Sequence, residues 1–168
     1  MILDKLSEHA IAGRVLLEMG LIAMALIILG IVLYIIDKKA KSEVKYEEIT
    51  LKQSLLIGIS QALAAAFPGV SRSGITITVA RSLKIDRESA AKFSFLLATP
   101  IILAAVLVNI KDFVFNIQFL VGVLTSFIFG LLVIKVLLNY LKKGSFKLFA
   151  IYRIILGLTI IGLIVTRI

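Results

Sequence analysis

"QALAAAFPGVSRSGITITVA", residues 61–80, sets a proline, two glycines, two serines and an arginine inside an otherwise apolar stretch. What such an interruption means depends on its surroundings. The chain is 60% hydrophobic, with mean hydropathy +1.08, no cysteine, no tryptophan and a formal charge of +9. Typical soluble chains are about 45–50% apolar. The apolar residues also come in blocks: 19–36, 93–110 and 117–134 carry no charge, and 146–166 is broken only by Lys147 and Arg153. A bilayer core of about 30 Å takes roughly 20 apolar residues as helix. These blocks therefore predict an all-α, polytopic membrane protein.

Composition excludes several alternatives. Without cysteine there is neither a disulfide framework nor a thiolate metal site. The N-terminal run MILDKLSEHA lacks the basic-then-apolar layout of a signal peptide. The positive charge lies between apolar segments, where it orients the chain and meets lipid headgroups, so no nucleic-acid partner is expected. The pattern divides into an amphipathic start at 1–13, a span at 14–36 and a charged loop at 37–52. The interrupted region 53–84 and a second charged loop at 85–92 follow, then spans at 93–110, 117–138 and 146–167. All belong to a single membrane domain, 1–168.

The interrupted region is too short to cross in one piece. Residues 53–67 give about 22 Å of helix, and Pro68-Gly69 stops it. Ser71 or Ser73 can cap a second short helix starting near Gly74. Its Thr/Ile alternation could read as a strand, but an open strand edge does not survive in lipid. Loop charge selects the topology. If 53–84 dips in and returns, twelve loop cations fall on one side (Lys38, Lys39, Lys41, Lys45, Lys52, Arg81, Lys84, Arg87, Lys92, Lys142, Lys143, Lys147). Four remain opposite (Lys5, Arg14, Lys111, Arg167). The positive-inside rule then predicts a re-entrant hairpin from the cytoplasm, with 68–74 at its tip.

An arginine at that depth costs about 2.5 kcal/mol or more unless it is compensated. The first turn of the second helix offers free N–H groups and a positive dipole end. Gly69 and Gly74 admit close approach, Ser71, Ser73 and Thr76 add hydroxyls, and Arg72 adds a planar fork suited to phosphate oxygens. Three readings fit these residues: an oxyanion or phosphate cradle, a plain helix break with Arg72 on a carboxylate, or an ion or substrate pathway.

The run "SQALAAAFPGVSRSGITIT" resembles the second signature of the undecaprenyl-diphosphate phosphatase family, the bacitracin-resistance membrane enzymes. "KFSFLLATPI" (92–101) and "FKLFAIYRIILG" (146–157) extend the resemblance in the same order. It implies two inverted repeats, each with a re-entrant hairpin, in a multi-pass protein of the cell membrane. It also implies hydrolysis of undecaprenyl diphosphate to undecaprenyl phosphate and inorganic phosphate, recycling the lipid carrier of cell-wall synthesis. Carried over by residue, it makes Ser71 and Arg72 the phosphate-contacting, catalytic pair, with Ser73, Gly74 and Thr76 continuing the cradle. Ser71 is read as a binding group first, because no base accompanies it.

The family's first-half signature, Glu-x-x-x-Glu followed by Pro-x-Ser-Ser and a histidine, has no counterpart here; the equivalent repeat positions are Gln61 and Ala65. The chain resembles a C-terminal portion. Mg²⁺ or Ca²⁺ is expected for the complete enzyme, with no metal ligands from this chain. The expected partners are the polyprenyl diphosphate, the membrane, and either a first-half chain or a second copy. A polyprenyl-phosphate flippase and a non-catalytic remnant are the alternatives.

Four other features carry expectations. His9 reads as a surface residue, Arg14 and Glu18 as an interfacial pair, and Glu47–Glu48 as solvated. Arg153 either snorkels to the interface or faces the bundle to meet a carboxylate or backbone carbonyls.

Overall fold

Four helices begin at side chains that satisfy the open amides of a first turn. Thr50 accepts from Gln53 N, Ser71 from Gly74 N, Asp86 from Ser89 N and Asn116 from Phe119 N. The computed structural model describes residues 2–110 and 115–167, with side chains at 13–110 and 115–166. The side chains of Lys5, His9 and Arg167, and all of Lys111, lie outside that description. The helices are α1 (Ile2–Lys39), α2 (Leu51–Ala66), α3 (Arg72–Ser82), α4 (Arg87–Val108), α5 (Ile117–Leu141) and α6 (Lys147–Arg167), with a single 3₁₀ turn at Tyr46–Glu48. Among the described residues there is no strand, only a lone bridge between Val44 and Ile85.

The all-α membrane reading holds: Gly13–Lys39, Arg87–Val108, Ile117–Leu141 and Lys147–Thr166 are long and apolar enough to cross a bilayer. The boundaries moved where a cap outranked hydrophobicity. The amphipathic start and first span form one helix. α3 starts two residues before Gly74 because Ser71 takes the cap. α4 starts at Arg87, six residues ahead of the apolar run, because Asp86 caps it.

α1 packs along α6, and glycines set that seam. A side chain at Gly157 would strike Ile27 and the carbonyl of Ala23, and one at Gly30 would lie 3.2 Å from the carbonyl of Ala150. α2 and α3 pack on each other with their outer ends adjacent, where Gln53 Nε2 donates to the Leu83 carbonyl at 3.5 Å. α3 is sandwiched between α1 and α4, and Ile77 shares a cluster with Leu33, Ala91, Leu141 and Phe146. α5 touches the rest lightly, with Leu141 its one buried residue.

Four helix ends converge on Asp37. Its carboxylate Oδ1 accepts from Arg81 Nε and from Arg87 Nε, each at 2.8 Å, and Oδ2 accepts from the Phe146 amide at 3.1 Å. The Arg81 guanidinium, fully buried, also donates to the carbonyls of Ala40 and Ile85 and to Ser42 Oγ. Charge patterning counted Arg81 and Arg87 among the loop cations, and here both are engaged by Asp37. They are ties between α1, α3, α4 and α6. Nearby, Lys84 pairs with Glu43 at 2.8 Å, and the Glu43 and Val44 amides donate to the Lys84 carbonyl. Arg14 and Glu18 are exposed and form no pair among the described residues.

Removing one member of a buried ion pair leaves an uncompensated charge and costs about 3–5 kcal/mol. Asp37→Ala should lose stability of that order in detergent unfolding, and Asp37→Asn should recover little of it. Near-unchanged unfolding of both variants would show that the helix ends do not depend on this carboxylate.

Candidate anion site at the start of the third helix

The tip of the α2–α3 hairpin is seated by a glycine. Gly69 takes φ +81°, and a β-carbon there would stand 2.6 Å from Ile22 Cα, so only glycine lets the turn press onto the backbone of α1. The chain then enters α3 through Ser71, whose backbone is extended (φ −65°, ψ 121°) and whose Oγ accepts from Gly74 N at 3.2 Å. The amides of Arg72 and Ser73 are left open, at the positive end of the helix dipole. The Ser73 hydroxyl lies 3.4 Å from that of Ser71.

Across this first turn lies Arg153. Its side chain leaves α6 on the bundle side, is 7% exposed, and packs its guanidinium onto Gly74. A β-carbon at Gly74 would coincide with Nη1 and lie 3.1 Å from Cζ. Gly30 on α1 makes the reach possible, because a side chain there would press on Arg153 Cβ at 3.4 Å. Nε and Nη2 of Arg153 are buried and have no hydrogen-bond partner among the described residues. Arg72 is half-buried and likewise forms no ion pair there. The open question about Arg153 is thus answered: it faces the bundle, but it meets neither a carboxylate nor a carbonyl. The plain helix break with Arg72 on a carboxylate also finds no support.

Ser71, Arg72, Ser73 and Gly74 form the cap and first turn of α3. Thr76 has its hydroxyl engaged elsewhere. It is 1% exposed, its hydroxyl donates back to the Arg72 and Ser73 carbonyls, and it pairs with Ser94 Oγ at 2.7 Å. One turn along the helix, it points at α4 and fastens the cradle instead of lining it. The donor set does not fit a divalent cation. Hard cations require oxygen ligands, several of them carboxylates, whereas the guanidinium of Arg153, open N–H groups and hydroxyls meet at this turn, which also carries Arg72. What they suit is an oxyanion.

Depth follows from the helices. Gly74 precedes Arg81, and Arg153 follows Phe146, by seven residues each, so both stand about 10 Å from the Asp37 knot at 1.5 Å per residue.

Residues 1–159 match the family model described as bacitracin resistance protein BacA. The chain belongs to this family. Relatives within and around it include the undecaprenyl-diphosphatase of Pelotomaculum thermopropionicum, 47% identical over 150 residues, covering 88% of this chain and 56% of that protein. That of Elusimicrobium minutum is 48% identical over 143 residues (83% and 54%), and undecaprenyl-diphosphatase 4 of Bacillus thuringiensis is 40% identical over 149 (84% and 57%). The chain spans about half the length of these curated relatives. The BacA family match covers all of the cradle, including Arg153.

A buried cation without a partner is a liability in the empty protein, and replacing such charges by apolar groups of similar size often stabilises by about 1–4 kcal/mol. Arg153→Met should therefore raise the unfolding temperature in phosphate-free detergent, while Arg153→Lys should not. A lower unfolding temperature for Arg153→Met would mean that the guanidinium holds the bundle together and is not reserved for a ligand.

Proposed function

We propose that this chain grips the diphosphate head of a polyprenyl diphosphate, in the hydrolysis of undecaprenyl diphosphate to undecaprenyl phosphate and inorganic phosphate. One observation carries the reading: the buried guanidinium of Arg153, without an acceptor for Nε and Nη2, lies on the open first turn of α3, the turn that also carries Arg72. A buried cation left unpaired costs several kcal/mol, and a diphosphate supplies the compensating charge together with acceptors for every open donor. The relatives, undecaprenyl-diphosphatases by name, support the same substrate.

Within this reading Arg72 and Arg153 clamp non-bridging oxygens and offset the charge that grows on the leaving phosphate as the bridging P–O bond breaks. The amides of Arg72 and Ser73 bind a further oxygen. Ser71, whose oxygen accepts from Gly74 N, keeps its proton free to donate to phosphate; it binds and does not attack, because no base adjoins it. Mg²⁺ or Ca²⁺ would be held, and acid–base chemistry supplied, by residues other than this cradle, such as the carboxylates of the family's first-half signature. The hairpin is re-entrant in the cell membrane. Its Gly69 tip meets Ile22, fifteen residues or about 22 Å along α1 from Asp37, which is within a hydrocarbon core of about 30 Å.

Binding of inorganic pyrophosphate and farnesyl diphosphate to the purified chain tests the clamp. Hydrogen bonds to charged groups contribute about 1.5–3 kcal/mol, so Arg72→Ala and Arg153→Ala should each weaken binding roughly ten- to a hundred-fold. Phosphate release from farnesyl diphosphate should appear when a relative's first half is supplied and vanish with Arg72→Ala. Lipid movement across liposomes without phosphate release would identify a flippase instead.

A further inference from the structure

A wholly apolar groove of about 280 Å³ runs between α1 and the α2–α3 hairpin. Leu21, Met24 and Ile28 line one wall, and Leu63, Phe67 and Val70 the other. Its lining brackets the cradle in the chain: Val70 immediately precedes Ser71, and Ile75 immediately follows Gly74. Its outer lip is open, since Met24, Ile28, Leu63 and Phe67 are each about half-exposed.

We propose that this groove seats the first isoprene units of the substrate's tail; the inference rests on the diphosphate reading above. A prenyl diphosphate joins head and tail covalently, so the tail must leave the cradle through some opening. Two flanks are closed. On the α4 side, Thr76 and Ser94 are hydrogen-bonded at 2.7 Å. On the α6 side, Arg153 lies on Gly74, and α1 and α6 approach closely at Gly30 and Gly157. The α1–α2 side remains, and it is apolar throughout. Ligand pockets that enclose most of a small molecule measure about 300–1,000 Å³. This one falls just below that range, so it takes only the head-proximal units, and the rest of the tail lies in the bilayer. Selectivity then reads the first few isoprene units and is indifferent to further length.

Photoaffinity labelling of the full chain in detergent tests this, using a prenyl diphosphate with a photoreactive group on its first isoprene units. Labelled peptides should map to 21–29 and 63–70, and excess inorganic pyrophosphate should suppress the labelling. Ala25→Phe, which fills the groove, should cut labelling at least ten-fold while leaving pyrophosphate affinity within two-fold. The map on the unaltered chain stands even where that variant fails to fold. Labelling of α4 or α5 that pyrophosphate still suppresses would overturn the tail path and leave the clamp standing. Labelling that neither pyrophosphate nor Arg72→Ala affects would remove the clamp and the tail path together. Chain-to-chain crosslinks through Met24 and Leu63 in place of lipid labelling would assign the groove to a second copy and overturn the proposal.

Discussion

A single carboxylate, shared between two guanidiniums and a backbone amide, fixes where the helices of this protein begin and end. Asp37 closes α1 and is itself buried. Through Arg81, Arg87 and Phe146 it gathers the end of α3 and the starts of α4 and α6. In a bundle whose outer surface faces hydrocarbon, burial of apolar area does little to choose one helix arrangement over another, because lipid tails are as apolar as leucine. Directional polar contacts and close small-residue seams do the choosing. The Asp37 knot supplies the first, and Gly30 and Gly157 on the α1–α6 seam supply the second.

The anion site is a consequence of that arrangement. With Phe146 and Arg81 both pinned to Asp37, α6 and α3 leave the knot in the same direction, and their seventh residues come level. Gly74 and Arg153 therefore meet without a direct tie between them. The knot satisfies its cations with a carboxylate and several carbonyls, while the cradle leaves its own unsatisfied. Two populations of buried arginine thus exist in one small protein, and their surroundings separate structure from binding: Arg81 has a full complement of acceptors, whereas Arg153 has none for Nε and Nη2.

Much of this was legible in the sequence. Four apolar blocks announced the spans, and Pro68-Gly69 with Ser71 announced the break and its cap, because those signals are local. The cradle residues 71–74 were legible for the same reason. Three things were not. Arg81 and Arg87 read only as loop cations, since nothing in the order of residues shows that four helix ends converge on Asp37. Thr76 looked like one more hydroxyl in the cluster, but the 100° advance per residue carries it round to Ser94. Arg153 was left between two readings because its role depends on a neighbour 79 positions away, Gly74. The one hint was that both positions fall in short stretches resembling the same family.

Gly69 and Asp37 turn α1 into a measuring rod. The hairpin is held at both ends against one continuous helix, its tip at Ile22 and its root at Asp37. A residue inserted or deleted between those two seats would swing one of them a quarter-turn or more around the helix axis and slide it 1.5 Å along. The spacing of this apolar stretch is therefore under a geometric constraint that hydrophobicity alone would never reveal. Exposed side chains along it can exchange, but the number of residues cannot.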